Sequence, residues 1–231
     1  MFCHLFIGAV LGLLLYRWSG QRWIVPVVAF GAILPDLIDK PLGHLLLNST
    51  LDSGRIFGHT MLFLLVLALA GAVLWKVRSS RLVGMVGLGV ASHLVLDSMW
   101  SQPVTLLWPA LGPFQQHHYP DYFANSLATE LTTPSEWAFG ILFASILIMH
   151  YREQLGHLGV WASRNLEPLQ LPMLVFLMVI GAMTLASGLM TSFADWDSGQ
   201  NMIIVGLCAL GGGGFLMKKE MRRPLNWTQA D

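Results

Sequence analysis

The chain has 231 residues, of which 55% are hydrophobic and only 11% charged, and its 13 basic and 13 acidic side chains cancel. A soluble domain carries about 25% charged residues, so this composition indicates an integral membrane protein. Zero net charge excludes the basic field that draws nucleic acid to a surface.

An apolar helix needs about 20 residues to cross a bilayer. Seven runs approach that length: 2–17, 23–39, 56–76, 82–100, 136–151, 171–192 and 200–217. The expected fold is therefore an all-α integral membrane protein, a bundle of about seven transmembrane helices. Six is the alternative count, because the first and fifth runs are short. Residues 1–231 read as one membrane domain. The first run, MFCHLFIGAVLGLLLYRW, lacks a basic leading region and is read as a retained span, not a cleaved signal peptide. Cys3 and Cys208 sit inside apolar runs and are expected as small packing residues, not as a disulfide.

Lysine and arginine in the short connections set the orientation. Arg17 and Arg22 follow the first run, Lys76, Arg78 and Arg81 the third, and Arg152 and Arg164 the fifth. Lys218, Lys219, Arg222 and Arg223 fill the tail. The long connection after the fourth run, with its extracytoplasmic loop 113–135, has no basic residue, and FADWDSGQ after the sixth is acidic. Lys40 and Arg55, between the second and third runs, blur the pattern. The best fit places the N-terminus outside and the C-terminus in the cytoplasm.

On that frame the ionisable residues gather on the outer side. His4 begins the first run, Asp36 and Asp39 end the second, His59 opens the third, and His93 and Asp97 lie in the outer part of the fourth. Unrelated residues would scatter between the two faces. Intramembrane ionisable groups are expensive and mark function by default. His93 and Asp97, four residues apart, share a helix face and could hold one cation. In LPDLIDK, Pro35 disfavours helix at Leu34, so the second run is expected to break there and restart with Asp36 and Asp39 on one face. In GRIFGHTMLF, His59 follows a glycine at the start of a long helix, and Arg55 offers a planar fork for a phosphate or carboxylate. Imidazole with carboxylate suits zinc, with manganese or magnesium as alternatives.

His44, in PLGHLLLNS, and His117 and His118, in PFQQHHYPDY, read as loop residues with no assigned role, and His150 and His157 fall on the cytoplasmic side. Trp23, Trp75 and Trp108 fit an interfacial aromatic belt. The four glycines at 211–214 permit close helix packing.

At these residues the chain resembles a family of predicted inner-membrane, metal-dependent hydrolases whose bacterial members include a LexA-regulated one. That family carries an N-terminal histidine and the motifs LPDxDH, HRGxTHS and GxxSHxxxDxxTxxGVxLLWP. The counterparts here are His4, LPDLIDK, GRIFGHT and GVASHLVLDSMWSQPVTLLWP, all within residues 1–112. Gly54 stands in place of the first histidine of HRGxTHS and Ile56 in place of its glycine. Asp39 comes one residue later than the family's second aspartate, and Lys40 replaces the next histidine. The lost histidine implies fewer metals or a ligand supplied from elsewhere. The resemblance implies that His4, Asp36, His59, His93 and Asp97 bind the metal and that Arg55 matches the family's arginine. The order of these groups is also similar to that of zinc-dependent phospholipase C and the P1-type nucleases, which points to phosphoester hydrolysis.

Together these readings give a membrane-bound hydrolase using a divalent cation, with Asp39 or a metal-free carboxylate as general base and Arg55 holding an anionic substrate. A site at the depth of the outer leaflet suits a membrane lipid as substrate. The alternatives are a divalent-metal transporter and a non-catalytic metal-binding membrane protein.

Overall fold

The computed structural model describes residues 1–116, 121, 122, 125, 128 and 131–217. All regular structure among the described residues is helical, as the composition requires. The helices are α1 (Phe2–Ser19), α2 (Ile24–Gly31), α3 (Leu34–Pro41), α4 (Met61–Arg78), α5 (Leu82–Leu96), α6 (Pro103–Leu106), α7 (Pro134–His150), α8 (Gly156–Ser192) and α9 (Trp196–Met217). Four stretches are long and apolar enough to cross a membrane: Phe2–Ser19, Met61–Arg78, Gly156–Ser192 and Gly199–Met217. Leu82–Leu96 and Pro134–His150 are shorter apolar helices. With the broken pair α2–α3 they account for the seven expected runs.

The bounds differ from the sequence reading in four places, each for a local reason. The second run splits one residue pair before Leu34: α2 stops at Gly31, and α3 begins with Pro35 in its first turn, where a missing N–H costs nothing. The third run begins as irregular backbone and becomes helix only at Met61, where the Thr60 side chain accepts the N–H of Phe63 at 3.0 Å. The fourth ends at Leu96, because Ser98 adopts φ 51 and the chain turns into a short 3₁₀ segment at Met99–Ser101. The sixth is far longer than expected: α8 runs from Gly156 through Pro168 and Pro172 to Ser192, so the connection carrying Arg164 is helical.

Two buried clusters organise the packing. The larger joins α1, α2, α7, α8 and α9 through Phe6, Leu13, Val25, Phe139, Leu142 and Leu177, among others. The smaller holds Val90, Leu94 and Met99 against Leu34, Phe63, Leu64 and Leu67, and so ties the end of α5 to α3 and α4. Cys3 is buried and Cys208 half-buried, and both are free thiols. Of the expected belt tryptophans, Trp75 is exposed on α4, whereas Trp108 stacks on Phe114 and meets the edge of Phe57.

The α2–α5 contact positions the site. A Cβ added to Gly89 would lie 2.6 Å from the Ala32 nitrogen, so the two backbones approach more closely than any side chain allows. This brings α5 directly beneath the break between α2 and α3.

Candidate metal centre

The break that Pro35 enforces frees a carbonyl. In a continuous helix the oxygen of Ala32 would accept an intrahelical bond; here it accepts Nδ1–H of His93 at 2.7 Å. That bond fixes the tautomer and leaves the lone pair of Nε2 pointing the other way. His93 lies in the last turn of α5, and Asp97 caps that helix one turn on.

His59 is fixed by the segment that precedes α4. Residues 56–59 wrap around Asp39, whose carboxylate accepts the N–H of Ile56 at 2.8 Å, of Gly58 at 2.8 Å and of His59 at 3.2 Å. The same carboxylate takes Nδ1–H of His59 at 2.7 Å. Asp39 is 0% exposed, and an ion so buried survives only when its lone pairs are met. Four donors meet them. The second imidazole is thereby also committed at Nδ1, with Nε2 directed inward.

The two Nε2 atoms lie 3.0 Å apart. Both rings have spent their single N–H elsewhere, so neither can donate to the other. Two facing lone pairs at hydrogen-bond distance repel unless a cation, either a proton or a metal ion, sits at their junction. Asp36 Oδ1 is 3.8 Å from His59 Nε2 and 3.9 Å from His93 Nε2. Asp97 Oδ2 is 3.7 Å and 3.8 Å from the same two atoms. Tetrahedral zinc with bonds of 2.0–2.2 Å sets its ligand atoms about 3.3–3.6 Å apart, and the observed separations bracket that range.

His4 reaches the cluster from the start of α1. Its Nε2 is 3.0 Å from Asp97 Oδ1, and its ring lies 4.3 Å from that of His93. Its Nδ1 is buried with no hydrogen-bond partner. The potential donors thus form two triads that share His93: His4, His93 and Asp97, and Asp36, His59 and His93, each with its ligand atoms within 4.8 Å of one another. The residues present fit one divalent cation, because the single lone pair on His93 Nε2 can serve only one of the two triads.

Two cations face the cluster from the solvent side. Lys40 Nζ sits 2.8 Å from Asp36 Oδ2. Arg55 brings Nε to 3.1 Å and a terminal nitrogen to 3.0 Å of Asp97 Oδ2. Arg55 and Lys40 line a cleft of about 370 Å³, on whose wall His4, Asp36 and Asp97 also appear. The imidazoles of His59 and His93 are not part of that wall; both are 0% exposed and lie behind Asp36 and Asp97. His59 lies outside the spanning helices. Burial works against its charged form, but hydrogen bonding to Asp39 and Asp97 outweighs that and holds its pKa above the usual imidazole value.

All seven residues singled out in the sequence, His4, Asp36, Asp39, Arg55, His59, His93 and Asp97, therefore converge. One role changes. Asp39 was expected as general base, but its carboxylate is enclosed, saturated by four donors and absent from the cleft wall. It orients His59 instead. The sequence reading missed Lys40, His44 and Tyr122, which also border the cleft. Lys40 and His44 continue the four-residue spacing that starts at Asp36, a signal present in the chain, whereas Tyr122 is brought to the cleft only by the fold. His150 is remote, bonded to the Arg22 carbonyl at 3.0 Å, and His157 lies on α8. His117, His118 and the basic tail from Lys218 lie outside the described residues.

A family profile described as YdjM inner membrane protein matches residues 1–190. The chain belongs to that family. The match extends past the motif-bearing first half through α7 and most of α8. It also makes this an inner-membrane protein. No curated protein and no solved structure matches the chain.

Proposed function

We propose that this YdjM-family protein is a metal-dependent hydrolase that cleaves a phosphoester of a lipid at the outer leaflet of the inner membrane. The observation that carries the reading is the pair of buried Nε2 lone pairs of His59 and His93, 3.0 Å apart and flanked by two carboxylates. Asp36, His59, His93 and Asp97 would hold the ion, with His4 completing the set beside Asp97. Two imidazoles favour zinc over magnesium, and manganese is the next candidate. A bound divalent ion would polarise a phosphoryl oxygen and acidify water at neutral pH.

The chain's own groups do the rest. Arg55 is partly exposed over the cleft, and its guanidinium exchanges part of its contact with Asp97 for a phosphate oxygen. Lys40 adds a second positive charge beside Asp36. The N-terminus lies outside and the C-terminus in the cytoplasm, which puts the α1 start, the α3 region and the α5 end at the outer interface. A lipid headgroup reaches that depth without leaving the membrane, whereas a large soluble polymer does not.

The test is elemental analysis of purified protein together with phosphate release from phospholipid in mixed micelles. Wild type is expected to carry zinc and release phosphate, and His93→Ala to do neither. Equal activity in the two proteins removes the proposal. Metal uptake into proteoliposomes without hydrolysis would instead favour a transporter.

A further inference from the structure

The first turn of α1 carries His4 to the metal cluster, yet the helix does not close that turn by itself. Met1, at the cap position, makes no side-chain hydrogen bond to it. The first N–H groups of any helix have no partner within it. The earliest bond along α1, from the N–H of Leu5 to the Met1 carbonyl, is stretched to 3.4 Å. The His4 ring is itself lightly held: Nε2 lies 3.0 Å from Asp97 Oδ1, and Nδ1 is buried without a hydrogen-bond partner. The backbone beneath the imidazole therefore sets its place in the cluster.

That backbone is held from another helix. Glu136, in the first turn of α7, accepts the N–H of Phe2 on Oε2 at 2.7 Å, and the nitrogen of Met1 lies 3.0 Å from the same oxygen. The Glu136 side chain is only 17% exposed, so water competes little for these bonds. A carboxylate at this end also complements the positive pole of the helix. Neighbouring contacts fix the rotation of α1 as well as its end. The Phe2 ring lies over Gly140, one turn further along α7, where an added Cβ would be 3.2 Å from the ring's Cγ. Phe6 meets Phe139 at 5.4 Å between ring centroids. Phe2 and Phe6 thus pin α1 to α7, Glu136 closes the end, and His4 between them reaches Asp97 and His93.

We infer that Glu136 is a positioning residue for the metal centre: by capping the first turn of α1 from α7, it holds His4 beside Asp97. This rests on the metal-centre reading above and adds to it a residue from an element outside the ligand set. Without the cap the first turn opens, as unsatisfied helix ends do. His4 then leaves Asp97, whose closest remaining partner is Arg55. The ion loses the group that fixes one of its carboxylates. Outer partners of this kind are worth about 10–100-fold in metal affinity.

The experiment is a double-mutant cycle read as zinc affinity, measured by competition with a chelator in detergent micelles. His4→Ala is expected to weaken zinc binding by about 10–100-fold and Glu136→Ala by about tenfold. The double variant should bind as His4→Ala does, within about twofold, because a residue acting through His4 has nothing to act on once the imidazole is gone. Glu136→Gln keeps an oxygen for the Phe2 N–H and should stay within about threefold of wild type. A Glu136 that only stabilised the fold would weaken zinc by the same factor in both backgrounds, and that additive result overturns the inference. So does a Glu136→Ala protein that loses its helical circular dichroism, since the residue then serves the fold at large. Wild-type affinity in His4→Ala or Glu136→Ala, or equal losses in Glu136→Gln and Glu136→Ala, overturns the positioning role and leaves the metal centre standing. A wild-type protein that binds no zinc overturns both.

Discussion

Replacing Asp39 by asparagine tests the claim that a buried carboxylate outside the cleft sets the strength of the metal site. Asparagine is nearly isosteric but exchanges one acceptor oxygen for an NH₂ donor. Its better orientation places the amide oxygen where Oδ2 receives Ile56, His59 N–H and Nδ1–H, and turns the NH₂ toward the Gly58 N–H. Two donors then face each other in a closed site, and one unmet buried N–H costs about 1–3 kcal/mol. The remaining bonds lose their ionic character, so a total near 2–4 kcal/mol of folding stability is expected. The imidazole also loses the negative charge that makes Nε2 a strong donor, which lowers metal affinity by about 10–100-fold. Zinc competition against a chelator in micelles, run beside thermal unfolding, reads both quantities. An affinity within about twofold of wild type would refute the argument, because it would mean that the Asp39–His59 bond does not support the ligand.

Further outcomes follow from the same geometry. Asp97→Asn is expected to abolish stoichiometric zinc in elemental analysis while leaving the protein folded by far-UV circular dichroism, since His4 and Arg55 both lose their anionic partner at the cleft and not in the packed core. Zinc affinity should fall as pH is lowered from 8 to 6. Binding requires neutral His59, and the raised pKa of that ring in the metal-free protein makes the proton a competitor at a higher pH than for free imidazole; titration calorimetry in buffers of different ionisation enthalpy should detect proton release. Gly89→Val should force α2 and α5 apart, break the His93–Ala32 bond and lower both thermal stability, by about 1–3 kcal/mol, and zinc content. Thr60→Ala should cost about 1 kcal/mol through loss of the α4 cap, with zinc stoichiometry unchanged.

Seen in the sequence, the apolar runs already specified an all-helical membrane bundle, because a bilayer leaves a spanning chain no other way to pair its backbone except a closed barrel. The same runs made His4, Asp36, His59, His93 and Asp97 conspicuous, since ionisable groups in apolar segments are costly and stand out by position alone. Pro35 foretold the break in the second run, because its ring cannot continue the helix behind it. The lengths of the helices around Met61, Ser98 and Gly156 were not legible: those boundaries coincide with a cap at Thr60 and left-handed residues at Ser98 and Gly156, not with a change in hydropathy.

The role of each polar residue was decided only by the tertiary structure. Asp36 and Asp39 look equivalent in LPDLIDK, yet one faces the cleft and the other is closed in by the backbone of residues 56–59. His44 looked like an ordinary loop histidine until the π-helical turn Leu42–Leu46 and the contact of Gly43 with the Ser53 backbone brought it to Asp52 and the cleft. The physical reason is common to these cases. Hydropathy and spacing act along the chain and reveal which groups are costly to bury, whereas the partners that offset that cost come from other segments, and their directions exist only after the helices pack.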